Sequence, residues 1–330
     1  KIIAGGTIYI TGAQQSFMEE ALCRSGGTIL SLYLSASVKI KPTDVVLAGW
    51  VKAKDAPAAL ALIDNALANG AQVILFSNTY RPDKKGLTIF PTTVPKAPAI
   101  EPSVESVSNI LGMWTWTGQF ITACIKQGKM PTMYESMSMP GAAQRNAMFR
   151  NSSFHDQNIP IHGKVPDLGK DYLKAVSEAL HQLKEKNGDA FKSAVDLVRS
   201  SHENNKDITI LSLSHMFPAE IQSNELPKWI TAAAPKTEPT AASLPIYIGY
   251  QWTPWESPAL TGKDRIPSIL TTSRPPTADW VQDKEHIYID PCWEAQDAAV
   301  KLPGYDINIL PISGVMQSTI FWEIMEKASR

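Results

Sequence analysis

The hydrophobic pattern of residues 44 to 78 predicts a β-α-β unit. Val45 to Ala48 is a continuous apolar run, as expected of a strand buried on both faces, and Val73 to Phe76 is a second such run. The residues between the two runs carry apolar side chains at helical spacing, at Leu60, Ile63 and Leu67. The pattern therefore indicates two parallel strands joined by a helix.

The ends of this helix are also marked in the sequence. Asp55 stands where an N-cap belongs, because its carboxylate can accept amides of the first turn, and Pro57 fits the first turn without needing a donor. Gly70 supplies the C-terminal stop. In parallel sheets, ligands gather beyond the carboxyl ends of the strands, so the residues that follow each strand are the first candidates for a binding site.

The order of these elements recurs in the second half of the chain. Apolar strands are predicted near Thr7, Asp44, Gln72, Ile208, Pro245 and Ile266. Both halves close with a long Trp-bearing helix, from Ser103 to Lys126 and from Ser313 to Lys327. We therefore predict two tandem three-layer α/β/α modules with parallel sheets. The expected divisions are a first module at 1–127, a polar segment with connecting helices at 128–186, and a divergent second module at 187–330.

Composition and charge narrow the class of protein. The 330 residues are 44% hydrophobic and 19% charged, which is typical of folded rather than disordered chains. A formal net charge of -1 gives no general attraction for nucleic acid or anionic membranes, and no apolar stretch approaches the roughly 20 residues that span a bilayer. Neither nucleic acid nor membrane is an expected partner.

Three widely separated cysteines, Cys23, Cys124 and Cys292, show neither a disulfide framework nor metal-ligand spacing. This usage is typical of a reducing compartment, so a cytoplasmic location is expected. The chain opens at Lys1 without methionine, so a removed export signal stays open as an alternative. The sequence contains no H-x-x-x-H pattern, Walker loop or glycine-rich dinucleotide fingerprint, and no metal or cofactor is predicted.

Three strings of the first half resemble the SIS (sugar isomerase) domain family: residues 6–16, 44–48 and 71–78. The family opens with an apolar strand ending in Gly-x-Gly-x-Ser and continues with a Ser-x-Ser-Gly-x-Thr loop after its next strand. In that second loop, this chain has Trp50 and Lys52 where the family has serines. The resemblance implies a flavodoxin- or Rossmann-like topology, a sugar-phosphate ligand and pairing of modules, hence a homodimer or an intramolecular pseudo-dimer.

Candidate substrate-binding residues follow the predicted strands. In the first half they are Gly12, Gln14, Gln15, Ser16, Lys52, Lys54 and Asn78, and in the second half they are His215, Ser273 and Arg274. Amides and hydroxyls can hold a sugar, and cationic side chains bind phosphate. An anion is expected beside the amides of Gln15 and Ser16, where the first helix begins. The alternative is that these residues are ordinary turn, capping or solvated residues.

The polar segment after Gly128 supplies the candidate catalytic residues. Aldose–ketose isomerisation moves a proton between adjacent carbons and needs a general base, for which His155 and Glu135 are suited. Arg145 and Arg150 can bind a phosphate in the same segment. The alternative is a linker held by structural ion pairs.

Two functional classes therefore stay open. The first is a phosphosugar isomerase-like enzyme, and the second is a non-catalytic sugar-phosphate binding or regulatory protein.

Overall fold

The computed structural model describes residues 1–22, 24, 26–51, 56–78, 80–92, 101–150, 152–155, 165–213, 230–233, 238–249, 266–273, 286–294 and 296–329. The chain divides into two compact units. The first contains Lys1–Val176 with Gln296–Ile312, and the second contains Ser177–Ala295 with Ser313–Arg330. The domain limits predicted from the sequence remain a proposal.

The first unit contains a five-stranded parallel sheet. Its strands are β1 (Ile8–Gly12), β2 (Ser31–Tyr33), β3 (Val45–Gly49), β4 (Gln72–Phe76) and β5 (Leu87–Phe90), in the order β2-β1-β3-β4-β5. Its helices include α1 (Gln15–Ala21), α2 (Pro57–Ala68), α3 (Glu101–Ile125) and α4 (Ala142–Phe149), with a 3-10 turn at Ile2–Ala4. The predicted parallel β-α-β unit is confirmed. Helix α2 begins after the N-cap Ala56, and Asp55 lies outside the described residues.

Alternating residues of the central strands explain how α2 is held. Val46 and Ala48 of β3, and Val73 and Leu75 of β4, belong to one buried cluster with Ile63 of α2. Successive side chains of a strand point to opposite faces, so these four share the face that α2 covers. Both strands are nevertheless apolar at nearly every position, because α3 contacts them as well.

Helix α3 is in contact with neighbouring elements on more than one side. A Cβ added to Gly118 would lie 2.7 Å from the amide nitrogen of Gly169, in the first turn of α5 (Leu168–Lys186). On another side, the indole of Trp114 donates to Glu20 of α1 at 3.2 Å. Both Gly169 and Glu20 belong to the same unit as α3.

The second unit contains another five-stranded parallel sheet. Its strands are β6 (Asp207–Leu213), β7 (Ile230–Ala233), β8 (Ser243–Gly249), β9 (Ser268–Thr272) and β10 (His286–Tyr288), in the order β10-β9-β8-β6-β7. Helix α6 (Gly188–Glu203) precedes β6, and α7 (Ser313–Ser329) ends the described chain. Counted in chain order, the strands of this sheet are arranged as in the first. The prediction of two α/β modules with parallel sheets is confirmed.

The segment 296–312 joins the first unit and contains a short antiparallel pair, β11 (Val300–Lys301) and β12 (Asn308–Ile309). Among the described helices, none has the length and apolarity that a membrane crossing requires.

A buried ion cluster anchors this segment. Arg24 lies between two carboxylates, with Nε 3.1 Å from Glu20 and Nη2 3.4 Å from Asp297. The three side chains are 1%, 4% and 0% exposed, respectively. Asp297 also accepts the amide of Ile312 at 3.2 Å. Burial raises the pKa of Glu20, and the charge of Arg24 opposes that rise. The cluster therefore depends on its single arginine.

We expect Arg24→Met to destabilise the protein far more than Glu20→Gln. The first change leaves two buried carboxylates without their cation, which costs about 3–5 kcal/mol. The second removes one charge and keeps an oxygen that can accept from Trp114. The free energy of unfolding in urea measures both. Equal losses for the two variants would contradict this role of Arg24.

Candidate functional site

The strand order of the first sheet reverses between β1 and β3, and such switch points open the crevice in which α/β proteins bind ligands. Gly12 and Gly49 end these strands side by side. Gly12 has φ +135°, and a Cβ there would lie 2.2 Å from the carbonyl oxygen of Gly49. The amides of Ala13 and Gln14 donate to that same oxygen, at 3.0 and 3.2 Å. The chain leaving β1 therefore folds tightly over the end of β3, which only glycine permits at position 12.

The amide of Gln14 begins a buried polar network at this switch point. Its Nε2 donates to the carbonyl oxygen and the hydroxyl of Ser106, both at 3.0 Å, and lies 3.1 Å from the hydroxyl of Ser16. The two serine hydroxyls are 3.4 Å apart. Gln14 thus ties the loop after β1 to the first turns of α3.

Asn109, one turn further along α3, continues the network. Its Nδ2 donates to the side-chain oxygen of Gln14 at 2.8 Å and to the backbone oxygen of Trp50 at 3.0 Å. Its Oδ1 accepts the hydroxyl of Thr92 at 2.9 Å. This amide therefore connects the segments that follow β1, β3 and β5.

Glu105 makes the same kind of connection to β4. Its Oε1 accepts the hydroxyl of Ser77 at 3.0 Å and the amide of Asn78 at 2.7 Å. We call this set the switch-point network; its side chains are 0% to 4% exposed and belong to Gln14, Ser16, Ser77, Thr92, Glu105, Ser106 and Asn109. The network fills the buried part of the carboxyl edge of the sheet. A ligand would therefore contact the more exposed residues that lie outside the network.

The residues beside the network that are less buried, Gln15, Asn78 and Arg81, are called the rim. Asn78 is half-buried, and its backbone oxygen accepts Nε of the exposed Arg81 at 3.2 Å. Gln15 is exposed and donates to Glu19 at 2.7 Å. Trp50, at the position of a family serine, is buried and stacks on Tyr80 with ring centroids 4.7 Å apart. Arg81 is thus a cation at the carboxyl edge of the sheet.

Other predicted binding residues cannot be placed at this edge. Lys52, Lys54, His215 and Arg274 lie outside the described residues. Ser273 is half-buried and follows β9 in the second unit. Within the described chain, no three His, Cys, Asp or Glu side chains come together as metal ligands.

The structure brings His155 and Arg145 together in a second cluster. Nε2 of His155 lies 2.9 Å from the hydroxyl of Tyr305, which also accepts Nη2 of Arg145 at 3.2 Å. Arg145 holds Asp306 through Nε and Nη2, at 2.6 and 2.9 Å. These hydrogen bonds lower the pKa of Asp306 against the opposing effect of its burial. The guanidinium of Arg145 is thus already paired with a carboxylate.

Glu135 and Arg150 lie in the same segment but have other surroundings. The backbone amide and carbonyl of Glu135 pair with the side chain of Asn146, both at 2.8 Å, and Arg150 is exposed at the end of α4. Residues 132–134 pair with 26–29, just before β2 begins. This attachment is at the amino side of the sheet, and no described contact joins it to the switch-point network.

The sequence-based interpretation identified Gln14, Ser16 and Asn78 but missed the three partners on α3. Glu105, Ser106 and Asn109 lie in a helix whose other residues are mostly apolar. Polar residues at i, i+1 and i+4 share one side of a helix that is otherwise apolar, and this is the pattern that marks them in the sequence. It predicts a polar contact at the start of the helix without naming the partner.

No family model and no curated protein matches the chain. One similar solved structure is a "putative sugar binding protein" from Salmonella typhimurium LT2, with a TM-score of 0.53 and 9% identity, covering 99% of this chain and 89% of that one. Another is the C-terminal domain of glucosamine-fructose-6-phosphate aminotransferase from Francisella tularensis, with a TM-score of 0.48 and 9% identity, covering 97% and 84%. The first likeness supports the SIS-like fold and, at this identity, the fold alone.

Asn109→Leu should destabilise the protein strongly. It removes the partners of Gln14, Trp50 and Thr92 in a buried site, and each buried polar group left unpaired costs about 1–3 kcal/mol. Ser108→Ala, on the neighbouring position of α3, is the control and should be nearly neutral. Urea denaturation compares them, and a stable Asn109→Leu variant would mean that the network contributes little.

Asp306→Asn should lower stability more at pH 7 than at pH 3. A carboxyl group whose pKa is lowered in the folded state stabilises it when ionised, and that contribution disappears as pH falls through the lowered pKa. The melting-temperature difference from the unmodified protein should therefore shrink below about pH 4. Asp83→Asn, an exposed site, is the control. A difference that persists unchanged at pH 3 would contradict the ionic role of Asp306.

Proposed function

We propose that this chain binds a sugar phosphate at the carboxyl edge of its first sheet and does not transform it. The observation that carries the proposal is the convergence of Gln14, Ser16 and Asn109 at the β1/β3 switch point. Ligand sites of parallel α/β sheets lie at this kind of position. The sugar-binding description of the Salmonella structure with the same fold supports a sugar as the ligand.

The switch-point network would act as a rigid floor for the ligand. Its hydrogen bonds are mutual and buried, so the loop after β1 is fixed before a ligand arrives, which reduces the entropy lost on binding. Direct contacts would then come from the rim. There Arg81 offers a guanidinium for the phosphate, and Asn78 offers an amide for sugar hydroxyls.

The surroundings of the candidate bases favour binding over isomerisation. A general base has to come within hydrogen-bond reach of the proton that it removes. His155 already contacts Tyr305, and both candidate bases lie on a segment that is attached at the amino side of the sheet. The isomerase hypothesis requires these side chains to serve a ligand at the opposite edge.

Thermal shift with glucose 6-phosphate, fructose 6-phosphate and glucosamine 6-phosphate tests the proposed site. At least one should raise the melting temperature, because a ligand that binds only the folded state stabilises it. Arg81→Ala should reduce that shift at equal ligand concentration, whereas Arg150→Ala, the matched exposed arginine, should preserve it. Loss of the shift in Arg150→Ala alone would move the site to the polar segment.

Proton NMR of the same mixtures separates binding from catalysis. We expect no interconversion of glucose 6-phosphate and fructose 6-phosphate over many hours. Interconversion that disappears in His155→Ala, with the thermal shift retained, would establish the isomerase instead. The homodimer implied by the family resemblance belongs to the proposal and is tested by light scattering.

A further inference from the structure

The helices that close the two halves of the chain each carry a buried amide at the same distance in sequence from a tryptophan. Asn109 of α3 lies five positions before Trp114, and Gln317 of α7 lies five positions before Trp322. The sheets beside them have the same strand order, so the second has its own switch point between β6 and β8. The paired ends of these strands are Leu213 and Gly249. Gln317 therefore matches Asn109 in its spacing from the tryptophan of its helix, in a unit whose sheet has the same strand order.

Contacts within the second unit fix the direction of α7. Helix α6 leads directly into β6, so its C-terminal end lies at the amino edge of the sheet. Its N-cap Asn187 bonds the backbone of Asp290, beyond the carboxyl end of β10, at 2.9 and 2.8 Å. Arg199, toward the end of α6, donates to the carbonyl of Lys327 at 2.9 Å. Helix α7 therefore begins at the carboxyl edge, and Gln317 lies in its first two turns.

The amide of Gln317 differs from Asn109 in one respect. Its side chain is 0% exposed, yet neither its nitrogen nor its oxygen has a hydrogen-bond partner in the described part of the chain. The amide of Asn109 makes three hydrogen bonds. Buried polar groups in folded proteins are nearly always paired, and an unpaired amide lowers stability. The amide of Gln317, in the helix that begins at the carboxyl edge of the second sheet, therefore leaves a donor and an acceptor open to a ligand.

We propose that the carboxyl edge of the second sheet is a separate binding site for the hydroxyl groups of a neutral sugar, with Gln317 as its recognition side chain. A primary amide presents a donor and an acceptor side by side, which suits adjacent hydroxyls that both donate and accept. A described carboxylate at this edge, Asp290, is 3.6 Å from Lys186, so this pair presents no net charge. The proposal does not depend on the first site.

The melting temperature of Gln317→Met gives the first test. It should decrease only if the amide of Gln317 has a hydrogen-bond partner within the protein. Gln317→Met removes an unpaired amide and keeps the shape of the side chain, so the melting temperature without ligand should be unchanged or higher. Asn109→Leu, which removes a fully bonded amide, is the matched comparison and should melt lower. A marked decrease in the melting temperature of Gln317→Met would show that its amide has a structural partner, and would overturn the proposal.

Binding gives the second test, with glucose, fructose, mannose and N-acetylglucosamine as probes. At least one should raise the melting temperature of the unmodified protein at millimolar concentration. That shift should be lost in Gln317→Met and retained in Arg81→Ala, the variant of the first site. If none of the four sugars shifts the unmodified protein, or Gln317→Met retains the shift, the second site is refuted. Sugar-phosphate binding that depends on Arg81 would survive that result.

Discussion

Polar groups at the carboxyl end of a parallel sheet need partners, and in the first unit the closing helix supplies them. Helix α3 reaches the ends of β1, β3, β4 and β5 through the side chains of Glu105, Ser106 and Asn109, and the side chain of Gln14 completes the set. Burial makes every one of these bonds costly to lose. The same constraint fixes the loop after β1 and limits where a ligand can enter.

A second buried cluster, made of charged residues, stabilises another part of this unit, away from the switch-point network. Arg24 compensates the carboxylates of Glu20 and Asp297, and Asp297 brings the segment 296–312 into the first unit. The same segment contains Tyr305, which is hydrogen-bonded to His155, and Asp306, which is hydrogen-bonded to Arg145. The contacts of His155 and Arg145 therefore fasten a distant part of the chain to the first unit, and their roles in a catalytic or binding site stay predictions.

The sequence predicted the parts of the fold that depend on local pattern. Apolar runs such as Val45–Ala48 are buried strands, and the spacing of Ile63 and its neighbours forms a helix. It could not predict partners across the chain. Asp297 and Asn109 are ordinary polar residues until the fold brings each one beside a group far away in sequence. The sequence has Trp50 where the SIS family has serine, but it does not predict that the ring is buried against Tyr80.

A crystal structure of the protein with the stabilising hexose phosphate tests the central claim most directly. The account predicts density for the phosphate within hydrogen-bond distance of Arg81 and for the sugar beside Asn78, with Gln14 and Asn109 unmoved beneath it. A phosphate bound instead by Arg145 next to His155, with Asp306 displaced, would contradict it.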